Sequence, residues 1–223
     1  MNKALFIRAI TRFLAGLLLV AALLFIPAGT LNYPQGWLLI GILFVPMFVA
    51  GFVMMKKNPE LLKKRLNVKE EESDQRQVIY LSGLMFLAAF ISAGLSFRYG
   101  LLMLPPLASI IAAILFLAAY ALYAEVLREN TYLSRTVEVQ EDQKVIDTGL
   151  YGIVRHPMYM VTVVLFLTMP LVLGSVISCM IMLFYIPIIV KRIRNEEQIL
   201  KNGLPGYTDY MAKVKYRLIP FLW

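Results

Sequence analysis

The chain has 223 residues, 60% of them hydrophobic and 16% charged, with 22 Lys and Arg against 14 Asp and Glu. Apolar residues gathered into long uninterrupted runs exclude an ordinary soluble domain and indicate a polytopic membrane protein. One cysteine, Cys179, excludes a disulfide framework and a structural zinc site, and no metal is expected; the net charge of +8, without a soluble domain to carry a basic groove, reads as membrane orientation and lipid contact rather than nucleic-acid binding.

A span needs about 20 apolar residues, and runs of that kind lie near residues 5–26, 36–55, 78–97 and 101–125. The first has no A-x-A cleavage pattern behind it and more spans follow, so it reads as an anchor. Between the second and third runs lies a basic linker, 56–77, in which Asn58 is placed to cap a helix, Pro59 to occupy its first position and Glu60 to follow. That pattern predicts a short interfacial helix whose charged face meets lipid headgroups. The next apolar run, 157–190, is too long for one crossing, and Pro170 and Gly174 supply turn residues near its middle. It reads as a hairpin of two helices.

The expected fold is therefore all-α and integral to the membrane. About six transmembrane helices divide into a four-helix region, 1–125, and a second region, 126–223, built from a loop, the hairpin and a tail. With six spans, 21 of the 22 basic residues fall on one side and only Arg98 on the other. Since cytoplasmic loops concentrate Lys and Arg, both termini are expected in the cytoplasm.

Two segments on that side differ from ordinary loops. Residues 129–157 hold a short alternating piece, TVEVQ, then KVI, then a D-T-G turn and R-H-P; residues from 191 onward carry charge out of the last span, cap at Gly203, and place Tyr207, Tyr210 and Val214 at helical spacing. Both leave the same hairpin on the same side, so they can meet. His156, the only histidine, stands between Arg155 and Pro157 at a helix start. There the two side chains can hold an anion near the positive helix end, or Arg155 can snorkel to lipid phosphate while His156 caps the interface. At the hairpin's other end Arg192 and Glu196 lie four apart, in the weaker orientation for a helical ion pair, and Glu197 doubles the negative charge. Tyr151, Tyr159 and Tyr207 can stack a purine or face a cation, or simply populate the membrane interface.

The run G-L-Y-G-I-V-R-H-P-M-Y, followed by R-N-E-E-Q-I-L, L-P-G-Y-T-D-Y and V-K-Y-R-L-I-P, resembles the isoprenylcysteine carboxyl methyltransferase family, and more loosely the phospholipid N-methyltransferases. Membrane sterol reductases share a version of R-H-P-x-Y. The resemblance implies S-adenosylmethionine in a cytoplasm-facing pocket walled by the last helices and the tail, with a lipophilic acceptor, a membrane lipid or a prenylated molecule, arriving from the bilayer. It implies Gln140, Lys144, Val145, Ile146 and Tyr151 along the cofactor on the loop side, His156, Pro157 and Tyr159 at the helix start, and Glu196 from the facing helix. Arg192 takes the position near the reacting group, with Glu197 beside it toward the substrate. Met160 departs from the glycine common after the tyrosine. A carboxylate acceptor needs only orientation, for which Arg192 suits; an amine acceptor needs a base, for which Glu196, Glu197 and His156 are candidates. The competing readings are a nicotinamide-dependent membrane reductase of the sterol-reductase type and a non-catalytic membrane protein.

Overall fold

The computed structural model describes residues 3–66, 73–133 and 139–223. Regular structure among them is helical: α1 Lys3–Ala28, α2 Pro34–Lys57, α3 Pro59–Leu66, α4 Ser73–Tyr99, α5 Pro106–Glu129, a 3-10 turn Gly149–Gly152, α6 Pro157–Val172, α7 Val176–Met182, α8 Tyr185–Gly203 and α9 Tyr207–Lys213. Most of the TVEVQ piece lies outside the described residues; Val139 and Gln140 at its end are irregular.

Among the described residues, five stretches are long and apolar enough to cross a membrane: Lys3–Ala28, Pro34–Lys57, Gln75–Tyr99, Pro106–Glu129 and Val176–Gly203, the last being α7 and α8 in series. The fifth of the six expected crossings, α6, is apolar but has 16 residues. At about 1.5 Å per residue it reaches about 24 Å, less than the ~30 Å of a hydrocarbon core. Length and composition thus support five spans where six were expected. Side chains such as Leu18, Ile26, Val45, Leu107 and Ile114 are exposed on the bundle's outside, as they must be where the solvent is lipid.

Two expected boundaries move. The fourth apolar run begins with residues that are not helical: Met103 forms an isolated antiparallel bridge with Ser175, and Leu104 N donates to Gly174 O at 2.7 Å. Pro105 and Pro106 then start α5, because proline fits the first helical turn. In the hairpin, Pro170 lies inside α6, and the reversal comes after it, where Gly174 takes φ 73° and Ser175 caps α7 by accepting from Ser178 N. Only a residue without a Cβ enters that left-handed conformation readily.

Packing places α6 at the centre. It lies along α5 on one side and meets α2, α4 and α8 on others, while α1 packs on α4 and α2. At the α1/α4 crossing, a Cβ on Gly94 would stand 2.5 Å from Leu24 O and 3.0 Å from the Pro27 Cβ. Small residues permit such close approach of membrane helices, where van der Waals contact replaces the hydrophobic effect as the attraction. Away from the basic segments, Tyr33 is fully buried, stacks on Phe97 with centroids 4.1 Å apart and donates its hydroxyl to Leu173 O at 2.8 Å. The hairpin turn is thereby tied to the first half of the chain, which fixes the depth at which α6 ends.

Candidate active site

The reversal at Gly174 brings the beginning of α6 beside the polar end of α8. Pro157 occupies the first turn of α6, and His156 holds the capping position with φ −125° and ψ 61°, yet its side chain makes no capping hydrogen bond. The imidazole is thus left for another role. The backbone on either side is held by the tail: Arg155 N donates to Tyr216 O and His156 N to Arg217 O, both at 2.9 Å.

Arg155 completes that attachment. Its Nη1 donates to Val214 O at 2.7 Å and Lys215 O at 2.8 Å, while Nε and Nη2 each reach Glu197 Oε1 at 2.7 Å. Arg217 Nε donates to the other oxygen, Oε2, at 2.8 Å. Arg155 is buried at 7% exposure and Glu197 at 4%, which rules out snorkelling to lipid phosphate. A carboxylate shared by two guanidiniums joins α8, the α6 start and the tail. Removing one partner of a buried ion pair leaves charge uncompensated, at a cost of ~3–5 kcal/mol. Glu197→Gln is accordingly expected to lower the melting temperature in detergent by several degrees and to expose the tail beyond α8 to limited proteolysis; an unchanged melting curve and digestion pattern would contradict this role.

In front of this anchor opens a cleft lined by the loop residues Asn130, Tyr132, Leu133, Gln143, Lys144, Val145, Ile146 and Tyr151, by Arg155, His156, Met158 and Tyr159 at the α6 start, by Arg192, Glu196 and Leu200 of α8, and by Leu204, Tyr207 and Tyr210. Of the residues singled out from sequence, Lys144, Val145, Ile146, Tyr151, His156, Tyr159, Arg192 and Glu196 line it together. Three stand elsewhere. Gln140 braces the loop, accepting from Lys64 Nζ at 2.5 Å and donating to Tyr132 O. Pro157 is buried in the helix start. Glu197 lies in the ion cluster behind the cleft wall, because adjacent helical residues point about 100° apart, and Glu196 takes the cleft side.

Tyr159 links the facing walls. Its hydroxyl donates to Glu196 Oε2 and accepts from Arg192 Nε at 2.9 Å, and the Arg192 guanidinium carbon stands 5.8 Å from the ring centroid. The His156 ring lies near-parallel to it at 5.6 Å. A bulky Met160 next along is half-buried among the apolar side chains of the bundle.

Among the described residues, two buried polar atoms of cleft-lining side chains have no hydrogen-bond partner, His156 Nε2 and the Tyr207 hydroxyl. His156 Nε2 is 3.4 Å from Glu197 Oε1, without hydrogen-bond geometry. Burial, reinforced by the charges of Glu197 and Glu196, pushes the Tyr207 phenol far above its ordinary range, so it remains a proton donor. Buried polar groups are nearly always paired. Two unpaired ones in one cleft mark a place where a ligand's polar atoms would be accepted. The wall around them is rigid: Tyr210 donates to Tyr151 O at 2.7 Å, and Asn130 Nδ2 to the Tyr151 hydroxyl at 3.0 Å. Lys213 Nζ lies 2.7 Å from Asp147 Oδ2 and holds that exposed carboxyl below its usual range.

Sequence reasoning named Tyr210 only as part of a helical spacing, and it passed over Asn130 and Gln143. Asn130 carried a readable signal, a polar residue just past the end of an apolar helix. Gln143 carried none.

Residues 110–202 match the model of the Isoprenylcysteine carboxyl methyltransferase (ICMT) family. That interval runs from α5 through almost all of α8 and holds every cleft-lining residue except Leu204, Tyr207 and Tyr210. A Delta(14)-sterol reductase of Mus musculus is 26% identical over 91 residues, which make up 40% of this chain and 22% of that protein. The match thus spans less than a quarter of the curated relative.

Proposed function

We propose, from the assignment of this region to the isoprenylcysteine carboxyl methyltransferase family, that the membrane methyltransferase it indicates uses S-adenosylmethionine and methylates a lipophilic acceptor drawn from the bilayer. The observation that carries the reading is the buried Tyr207 hydroxyl, without a hydrogen-bond partner among the described residues, beside His156, whose Nε2 has only a 3.4 Å contact with Glu197, in a cleft that also offers cations, a carboxylate and phenol rings. S-adenosylmethionine presents the complements of these: a carboxylate, an ammonium, a sulfonium, hydroxyls and a purine. His156, Tyr207, Lys144, Tyr151 and Glu196 would hold it, with Val145 and Ile146 as apolar wall. Bound there, it would supply a methyl group whose bond to sulfur breaks with the electron pair returning to sulfur, while a lone pair of the acceptor forms the new bond to carbon.

The chain's own part is alignment and exclusion of water, which supply most of what such a displacement needs. Glu196 fixes the Tyr159 hydroxyl, and Tyr159 fixes Arg192 through Nε. A guanidinium so held orients an acceptor carboxylate, which needs no base. An amine acceptor would instead give its proton to Glu196 or His156. In this reading the short α6 completes a sixth crossing, as a locally thinned bilayer permits; the active site and both termini then face the cytoplasm, as the six-span sorting of basic residues supports.

The test is transfer from methyl-labelled S-adenosylmethionine by purified protein in nanodiscs to an S-prenylated N-acetylcysteine and to extracted membrane lipids. Base-labile label denotes a methyl ester, and base-stable label denotes N-methylation. Absence of cofactor binding together with absence of transfer contradicts the proposal. The similarity to the mouse sterol reductase favours a second reading, a nicotinamide-dependent reductase using the same cleft, and NADPH binding in place of S-adenosylmethionine would select it.

A further inference from the structure

Helix α3 belongs to the half of the chain outside the family match, yet it contacts two cleft-lining residues, Tyr132 and Met158. Asn58 Oδ1 accepts from Leu61 N at 3.1 Å and so caps the helix start, Pro59 opens it, and the buried Leu61 and Leu62 anchor it. Leu62 packs with Leu5 and Met55. With that face fixed, the basic residues that follow turn toward the second half of the chain. Lys64 meets Gln140 and lies 5.9 Å from the Tyr132 ring centroid. Arg65 donates Nη2 to the Tyr123 hydroxyl of α5, sits 5.6 Å from that ring's centroid, and places Nη1 3.7 Å from the Met158 sulfur.

Met158 lines the cleft, and the next residue, Tyr159, carries Arg192. Two guanidiniums therefore attach to adjacent residues of the first turn of α6, one arriving from α8 and one from α3. Their depth differs from that of the loop wall. Tyr123 precedes Asn130 by seven residues on α5, so Arg65 contacts that helix about 10 Å further toward the apolar body than the residue that braces Tyr151. An acceptor entering along the apolar body of the bundle would meet this end of the cleft first.

Resting on the methyltransferase reading above, we infer that Arg65 is a specificity-determining residue that recognises an anionic group of the lipophilic acceptor, a carboxylate or a phosphate, at the bilayer-side end of the cleft. The planar fork of arginine suits both groups. The charge of Arg65 is also felt at the Tyr151 phenol, where it acts against the upward push of burial, consistent with a field that extends into the cleft.

The experiment uses the full chain in nanodiscs of uncharged and zwitterionic lipid, titrated with three probes: an S-farnesyl N-acetylcysteine, its carboxamide, and a monoacyl phosphate. The wild type is expected to bind at least one of the two anions on the order of tenfold or more tighter than the carboxamide. Which anion is preferred separates a carboxylate acceptor from a phosphate-bearing one. Arg65→Gln is expected to lose most of that preference, with the remainder carried by Arg192, while S-adenosylmethionine affinity stays within about threefold, and Arg65→Lys to keep more of it than Arg65→Gln. A wild type without anion preference overturns the inference, as does an Arg65→Gln protein that retains the preference. If Arg65→Gln instead weakens S-adenosylmethionine and all three probes alike, α3 is a structural brace only, which also overturns it. Failure of the wild type to bind S-adenosylmethionine would count against the methyltransferase reading separately.

Discussion

Replacing His156 with alanine is expected to raise the dissociation constant for S-adenosylmethionine on the order of 10–100-fold while leaving a folded protein. His156 lies at the capping position of α6 but takes no part in capping, so the helix loses no side-chain bond when the ring is removed. The local backbone is held through main-chain groups, with His156 N donating to Arg217 O, and alanine preserves that bond. What disappears is a 5%-exposed, cleft-lining imidazole whose Nε2 has no hydrogen-bond partner among the described residues and only a 3.4 Å contact with Glu197. A hydrogen bond to a charged ligand group is worth ~1.5–3 kcal/mol, which corresponds to the stated range. Calorimetry gives the affinity, and a thermal melt of the same sample checks the fold. Unchanged affinity would remove His156 from the cofactor's surroundings.

The second large effect is expected at Arg192. Arg192→Ala should lower kcat on the order of 10²–10³-fold, the cost typical of removing a group that positions or stabilises reacting charge, with S-adenosylmethionine affinity within about threefold. The side chain is oriented from outside its own helix, by the Tyr159 hydroxyl on α6, which in turn answers to Glu196. Tyr159→Phe removes that link and keeps the ring, so it should reduce kcat by a smaller factor, about tenfold, in the same direction. Single-turnover kinetics with saturating cofactor read both variants. Loss of cofactor affinity in Arg192→Ala together with turnover would make Arg192 part of the cofactor's holding set instead.

The two variants separate residues that sequence spacing had grouped. Arg155 and His156 are neighbours, and their chemical types suggested a joint anion site. Both line the cleft, but the structure gives them different ties: the Arg155 guanidinium is fully engaged by Glu197 and two tail carbonyls, whereas His156 Nε2 has only a 3.4 Å contact with Glu197. The partners of Arg155 lie 42 to 60 positions away, and no local pattern reports a contact of that range. Glu196 and Glu197 likewise looked like one doubled charge. Helical geometry turns one toward Tyr159 and the other toward Arg155 and Arg217.

Spans were more legible, since hydropathy acts over windows of about 20 residues and needs no knowledge of partners. Helices α1 and α2 begin and end within two residues of the apolar runs that announced them. One exception arose where tertiary contact overrode the run: residues 102–104 pair with the hairpin turn instead of extending α5. Another is local, where Leu183 and Phe184 interrupt the second leg between α7 and α8. For α3, the Asn58 cap and Pro59 start were readable in the linker, but its docking was not: the Arg65 contact with Met158 bridges 93 positions. A basic amphipathic turn looks the same in sequence whether it faces lipid headgroups or a cleft.

The measurement to make first is a calorimetric titration of the purified wild-type protein in nanodiscs with S-adenosylmethionine, S-adenosylhomocysteine and NADPH in parallel. Saturable binding of the first two, with none of NADPH, is the expected result and would turn attention to the acceptor. Binding of NADPH alone would contradict the methyltransferase reading and transfer His156, Tyr159 and Arg192 to a reductase site.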